Sequence, residues 1–89
     1  MEQQNPKVTF EVVVAKAKEG VTMSDLVQAD KVMQVNFLEK QKGFLKREVA
    51  VSKDQTQILV IVHWATLEDA EAAGAAFYTN PDAIKRMGM

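Results

Sequence analysis

A single histidine, His63, and a single tryptophan, Trp64, stand side by side at the end of the run Ile58-Leu59-Val60-Ile61-Val62-His63-Trp64. An imidazole titrates near neutral pH and can give or take a proton, which makes His63 the candidate for general acid or base chemistry. In an extended run side chains alternate, so His63 shares a face with Leu59 and Ile61 while Trp64 lies on the other. Glu11, in the first apolar run, is the expected partner that would orient the imidazole. The alternative role for His63 is a hydrogen-bonded residue at a subunit seam. An indole brings a large apolar body and one N–H to satisfy, so Trp64 is expected either in the core or on the wall of a ligand cavity. Asn36, close to Met33 and Phe37, would add a polar group to an adaptable apolar wall, or face water. Tyr78 and Arg86 are expected at the mouth of any such cavity.

Other chemistries find no support. The chain has no cysteine, which removes disulfides, thiol catalysis and thiolate metal sites together. One histidine leaves only carboxylates for a metal, and Glu68, Asp69 and Glu71 sit where a helix start explains them. The glycines, Gly20, Gly43, Gly74 and Gly88, are too scattered for a phosphate-binding loop. Neither a metal nor a cofactor is expected. A net charge of −1 gives no electrostatic reason to bind nucleic acid or an anionic membrane, and the cluster Lys40, Lys42, Lys46 and Arg47 is broken by Gln41, Gly43, Phe44 and Leu45. The opening residues carry neither a basic start nor an apolar run, and no stretch approaches the roughly 20 apolar residues of a membrane span. A soluble, cytoplasmic protein is the expectation.

The elements that must position these residues follow from periodicity. The 89 residues suffice for one domain, 1–89, with residues 1–6 as a loose polar arm. Val8 to Ala15 alternates, with Val8, Phe10, Val12 and Val14 on one face and Thr9, Glu11, Val13 and Ala15 on the other. Thr22 and Asp25 resemble a capping pair opening a helix that is expected to reach about Lys42, with Leu26, Ala29, Met33 and Phe37 as its apolar stripe, widened by Val27 and Leu38. Gln28, Lys31, Gln34 and Glu39 form the solvent side. Gly43 stops the helix. Phe44 to Ser52 alternates with charges on both faces, as an edge strand does, and Lys53-Asp54-Gln55 turns it into its hairpin partner. That partner, 58–64, is apolar on both faces and therefore central. Thr66 with Asp69 opens a second helix, Leu67 to Tyr78, whose Ala70, Ala73, Gly74 and Phe77 make a small-residue face suited to lying close to a sheet. Asn80-Pro81-Asp82 caps a last short helical piece carrying Ile84 and Met87.

Strand, helix, strand, strand, helix is an α+β order, the ferredoxin-like plan βαββα(β) with an antiparallel sheet and its closing strand apparently missing. A first strand this apolar would then present an open edge, to be covered by further chain, by the N-terminal arm or by another subunit. A chain longer than this one is the favoured explanation. Val13, Ala15, Leu59 and Ile61 are expected on the sheet face away from the helices, where each, if covered, contributes roughly 1–3 kcal/mol. No residues remain for another layer, so a homodimer packed through that face is the expected partner arrangement.

The run Val62-His63-Trp64-Ala65-Thr66-Leu67-Glu68-Asp69-Ala70 resembles the strand-to-helix junction of dimeric α/β-barrel proteins, the superfamily of the antibiotic-biosynthesis monooxygenases. Gln41-Lys42-Gly43-Phe44 is similar to that family's Pro-Gly-Phe motif, and the resemblance spans residues 8 to 88. It implies a dimeric α/β barrel and an apolar cavity for a small aromatic molecule. Cofactor-free oxidation of that molecule would use His63 as base and Trp64 as wall. Haem-degrading members carry an Asn on the first strand and a His after the second helix. Here Thr9 and Glu11, then Lys85, Arg86 and Met87, stand in those places, so haem degradation is not expected. Non-catalytic binding of a small apolar ligand, or a structural dimer, are the alternatives.

Overall fold

The computed structural model describes residues 8–89; the arm assigned to residues 1–6 lies outside them. The chain forms a small α+β arrangement of one open, three-stranded antiparallel sheet and three helices. In chain order these are β1 (Thr9–Lys16), α1 (Met23–Asn36), a 3₁₀ turn (Leu38–Lys40), β2 (Phe44–Val51), β3 (Gln57–Trp64), α2 (Leu67–Phe77) and α3 (Pro81–Met87). Among the described residues no helix is long and apolar enough to cross a membrane.

Each helix begins on a side-chain cap. The Thr22 hydroxyl accepts the Asp25 N–H at 3.0 Å, Thr66 does the same for Asp69 at 3.0 Å, and Asn80 Oδ1 accepts from Asp82 and Ala83 at 3.0 and 3.1 Å. These bonds satisfy donors that a helix start otherwise leaves unpaired. The first helix ends at Asn36, earlier than its periodicity predicts. Phe37 leaves the helical region at φ −126° and ψ −66°, and the chain tightens into the 3₁₀ turn. The reason is packing. Phe37 and Leu38 are both buried, and neighbours about 100° apart around a helix cannot both point into a narrow stripe. Gly43 follows with φ +81°, and a side-chain carbon there would stand 2.6 Å from Asp69 Cβ. Only glycine lets the chain pass under the start of α2.

The strand order is β1-β3-β2, with β3 central. Cross-strand partners fix which side chains share a face. Glu11, Val13 and Ala15 of β1 stand opposite Val62, Val60 and Ile58 of β3, on the face covered by the helices. Phe10, Val12 and Val14 stand opposite His63, Ile61 and Leu59, on the open face. The expected placement of Val13 and Ala15 on the open face is therefore corrected. One face of β1 is wholly apolar and the other mixed, yet the mixed one turns inward: the acceptor that Trp64 requires puts Glu11, and with it Val13 and Ala15, on the helix side. In β2 a bulge at Leu45 lets Phe44 and Arg47 share a face although they are three positions apart.

The core lies between sheet and helices. Leu26, Met33, Phe37, Leu38, Ile58, Val60, Val62, Trp64, Ala73 and Ala83 are all buried, and Leu26, Ile58 and Trp64 are sealed completely. Among the described residues one polar residue is buried with them: Asp30, at 2% exposure, in register with Leu26 and Met33 on the inner stripe of α1.

The β2–β3 hairpin turns on Asp54. Its Oδ1 accepts from the Ser52 and Thr56 hydroxyls at 2.7 Å each and from the Thr56 N–H at 3.1 Å, while Gln55 takes φ +64°. The Thr56 hydroxyl first, then the Ser52 hydroxyl and the Thr56 amide, stabilise the charged form and lower this carboxyl from 3.8 to about 2. A carboxyl depressed in the folded state adds stability above its unfolded value, and that stability is lost as the pH falls toward 2. Carboxyl-detected NMR titration should therefore give Asp54 a midpoint of about 2. The stability difference between wild type and Asp54→Ala should be full near pH 6 and narrow as the pH drops below about 4. A midpoint at the ordinary carboxylate value would remove the turn from the list of what holds the hairpin.

Candidate functional site

Between the helix-side face of the sheet and the helices lies a cavity of about 430 Å³. Its floor is laid by β1 and β3, with Glu11, Val13, Val60, Val62 and Trp64; its roof comes from Met33 of α1, Ala73, Gly74 and Phe77 of α2, and Arg86 and Met87 of α3. The room exists because α2 turns small residues toward the floor. A methyl built on Gly74 would meet nothing within 4 Å. The alanine-rich face expected to close on the sheet instead leaves space above it. On the β1 side the cavity is open, and Val13 keeps 44% of its surface exposed although it faces the helices.

Two polar groups of opposite charge mark the two sides of the floor. On the β1 side the Trp64 indole N–H donates to Glu11 Oε1 at 2.9 Å, which satisfies a fully buried ring. Phe44 meets the same indole edge-on, with centroids 5.8 Å apart. On the β2 side Asp30 lies between two arginines. Arg47 Nη2 donates to its Oδ2, and Arg86 Nε donates to its Oδ1 at 2.8 Å. Arg47 Nη1 also donates to Gln34 Oε1 at 2.9 Å. The side chains of Asp30 and Arg47 are 3% and 2% exposed, so this ion pair is held away from water. The group joins α1, β2 and α3.

Of the residues singled out from sequence, Trp64, Glu11, Met33, Tyr78 and Arg86 line the cavity. Phe37 stands behind it, packed edge-on against Phe77 with centroids 5.9 Å apart. Asn36 is elsewhere: its Nδ2 donates to Asp82 Oδ2 at 3.2 Å on the exposed surface, joining the end of α1 to the start of α3. His63 lies on the open sheet face, across β3 from Trp64. Its Nε2 is 2.8 Å from Glu48 Oε2, and its ring stands 6.1 Å from that of Phe10. The expected Glu11–His63 pair is therefore replaced by two others, Glu11 with Trp64 and Glu48 with His63. The hydrogen bond to His63, with Lys46 nearby, holds the Glu48 carboxyl below its ordinary value.

Sequence reasoning missed Asp30 and Arg47. The signal was present: Asp30 falls four residues after Leu26 and three before Met33, inside the apolar stripe. A carboxylate at such a position needs a cation, and Arg47 is the charged residue of β2 with inward parity. Chemically the site offers an apolar enclosure, two carboxylates, Glu11 and Asp30, and two guanidiniums, Arg47 and Arg86. Among the described residues no three His, Cys, Asp or Glu side chains come together to hold a metal ion.

Removing one partner from a buried ion pair strands the other charge, at a cost of roughly 3–5 kcal/mol. Asp30→Leu should lower the unfolding free energy by an amount of that order, read from urea unfolding followed by Trp64 fluorescence, and Asp30→Leu with Arg47→Met should be less destabilised than Asp30→Leu alone. Equal losses in the single and double variants would mean that the pair is not coupled. Protein-family models, curated proteins and solved structures were compared with the chain, and none matches.

Proposed function

We propose that this protein binds a small, mainly apolar molecule between its sheet and its helices. The observation that carries the reading is the cavity itself. At about 430 Å³ it lies within the range of small-molecule sites, and its apolar walls with a few converging polar groups have the make-up of such sites. The sheet order β1-β3-β2, with helices after β1 and after β3, supports placing the chain on a ferredoxin-like plan related to the dimeric α/β barrels. The run around Trp64 supports the same placement.

Cofactor-free oxidation of an aromatic ligand is a second reading, favoured by one observation. Glu11 presents a carboxylate on the cavity floor, with one oxygen taken by Trp64 and the other without a protein partner among the described residues. In that reaction Glu11, not His63, would be the group within reach of a bound molecule, since His63 lies across the sheet. Retained ligand affinity with lost turnover in Glu11→Gln would mark an enzyme.

The open sheet face supports a second copy as partner. Phe10, Val12 and Val14 are more than half exposed there, beside Leu59 and Ile61. Among the described residues no element covers them. A two-fold axis through this face would set two such patches against each other, and cover a surface too apolar to stand in water.

Two measurements test these readings. N-phenyl-1-naphthylamine, a neutral dye that brightens in apolar sites, should bind wild type and receive energy from Trp64. It should fail to bind Gly74→Leu, whose new side chain enters the cavity while its helix gains roughly 1 kcal/mol of propensity. Unchanged binding in Gly74→Leu places the dye elsewhere and removes the cavity reading. In sedimentation equilibrium the chain should run at twice its 9.9 kDa, and Val12→Lys should return it to the monomer mass. A wild-type monomer would remove the second copy.

A further inference from the structure

The cavity's charges are arranged to select among apolar ligands, and this inference rests on the binding reading above. Asp30 brings one negative charge to a cluster with two positive ones, Arg47 and Arg86. The two arginines are used differently. Arg47 is sealed: two of its nitrogens reach Asp30 and Gln34, and its Nε–H is buried with no partner among the described residues. An unpaired donor on a buried cation leaves that charge under-compensated. Arg86 is the outer member, with a side chain 13% exposed. It spends its Nε–H on Asp30 and lines the cavity, and its Nη groups have no protein partner among the described residues. A guanidinium anchored through one nitrogen keeps its remaining N–H groups in a fixed plane, the geometry that grips a carboxylate through two parallel bonds.

Glu11 stands at the other side of the floor. It and Arg47 flank Val62 on the two edge strands, two inter-strand spacings or about 10 Å apart. A ligand anion is therefore repelled at the β1 side and drawn to the β2 side, with Val13, Met33, Val62 and Phe77 between for an apolar body.

We infer that the cavity takes a small apolar carboxylic acid, its carboxylate paired with the free Nη groups of Arg86 and offsetting the one excess positive charge of the Asp30, Arg47 and Arg86 cluster. Arg86 fixes the ligand's orientation, and Glu11 excludes the reversed one.

The test compares 1-naphthoate with 1-naphthamide, which have nearly the same shape with and without the charge, by isothermal titration calorimetry at low salt. Wild type should bind the naphthoate at least tenfold more tightly. Arg86→Met should lose that preference, the ratio of naphthoate to naphthamide affinity falling to within about twofold of one, with its fold checked by the near-ultraviolet circular dichroism of Trp64. Equal binding of both probes by wild type overturns the inference and leaves the cavity reading standing. Binding of neither overturns both. A preference that survives in Arg86→Met overturns the assignment to Arg86. The wild-type comparison alone decides the ligand class should Arg86→Met fail to fold.

Discussion

A carboxylate in a small apolar core must be neutralised where it stands, and Asp30 imposes that requirement on the whole chain. It sits between Leu26 and Met33 on the buried side of α1, almost wholly cut off from water. Its two oxygens are met from two directions, by Arg47 of β2 and Arg86 of α3. Both cations reach Asp30 together only when the helix, the strand and the last helix are all in place. A purely apolar contact would tolerate sliding of α3 along α1; two directional charge-assisted bonds to one carboxylate do not. Such a cluster adds less net stability than its count of bonds suggests, because three charged groups had to leave water. Its effect lies in discriminating against packings that leave any of the three unpaired.

The cavity follows from the same arrangement. Arg86 and Met87 hold one side of the roof at the end of α3, while α2 spans the floor with alanine and glycine where a larger residue would have filled the space. Trp64 closes the opposite corner, sealed by Phe44 and anchored to Glu11. Each polar group on the wall is thus held from behind by a second interaction: Glu11 by the indole N–H, Arg86 by Asp30. Groups fixed in this way lose little freedom when a ligand arrives, which favours binding over collapse of the space.

Much of this was legible in the sequence, and the failures have physical causes. The caps at Thr22, Thr66 and Asn80 were readable because a hydroxyl or amide before an acidic first turn has few other uses. The central place of β3 was readable because a run as apolar as Leu59, Val60, Ile61 and Val62 suits a strand hydrogen-bonded along both edges. The parity of β1 was not readable. Phe10, Val12 and Val14 looked like a core face, and they lie exposed, because the deciding residue is Glu11 and its partner Trp64 is 53 residues away. The bulge at Leu45 hid the shared side of Phe44 and Arg47 for a related reason. Local alternation cannot report an inserted residue. Asp30 was overlooked because a charged residue in an apolar stripe is read as the stripe's border until its counter-charges are known.

His63 and Trp64 show how far neighbours in sequence can be separated in role. One peptide bond apart on β3, they open onto opposite sides of the sheet, Trp64 onto the cavity and His63 onto the open face with Glu48 and Phe10. The two sides are nonetheless mechanically joined through the edge strands. Arg47 lies between Lys46 and Glu48, so whatever fixes those two side chains on the open face also fixes the backbone that aims Arg47 at Asp30. Val12 and Val14 bracket Val13 on β1 in the same way. A second copy covering the open face would thus steady both edges of the cavity floor without touching a ligand, and β1, paired on one side only, would gain most. If the chain pairs and binds a ligand as proposed, the two would be linked through strand rigidity: a ligand that orders the floor would favour the pair, and the pair would lower the ordering cost met by the ligand.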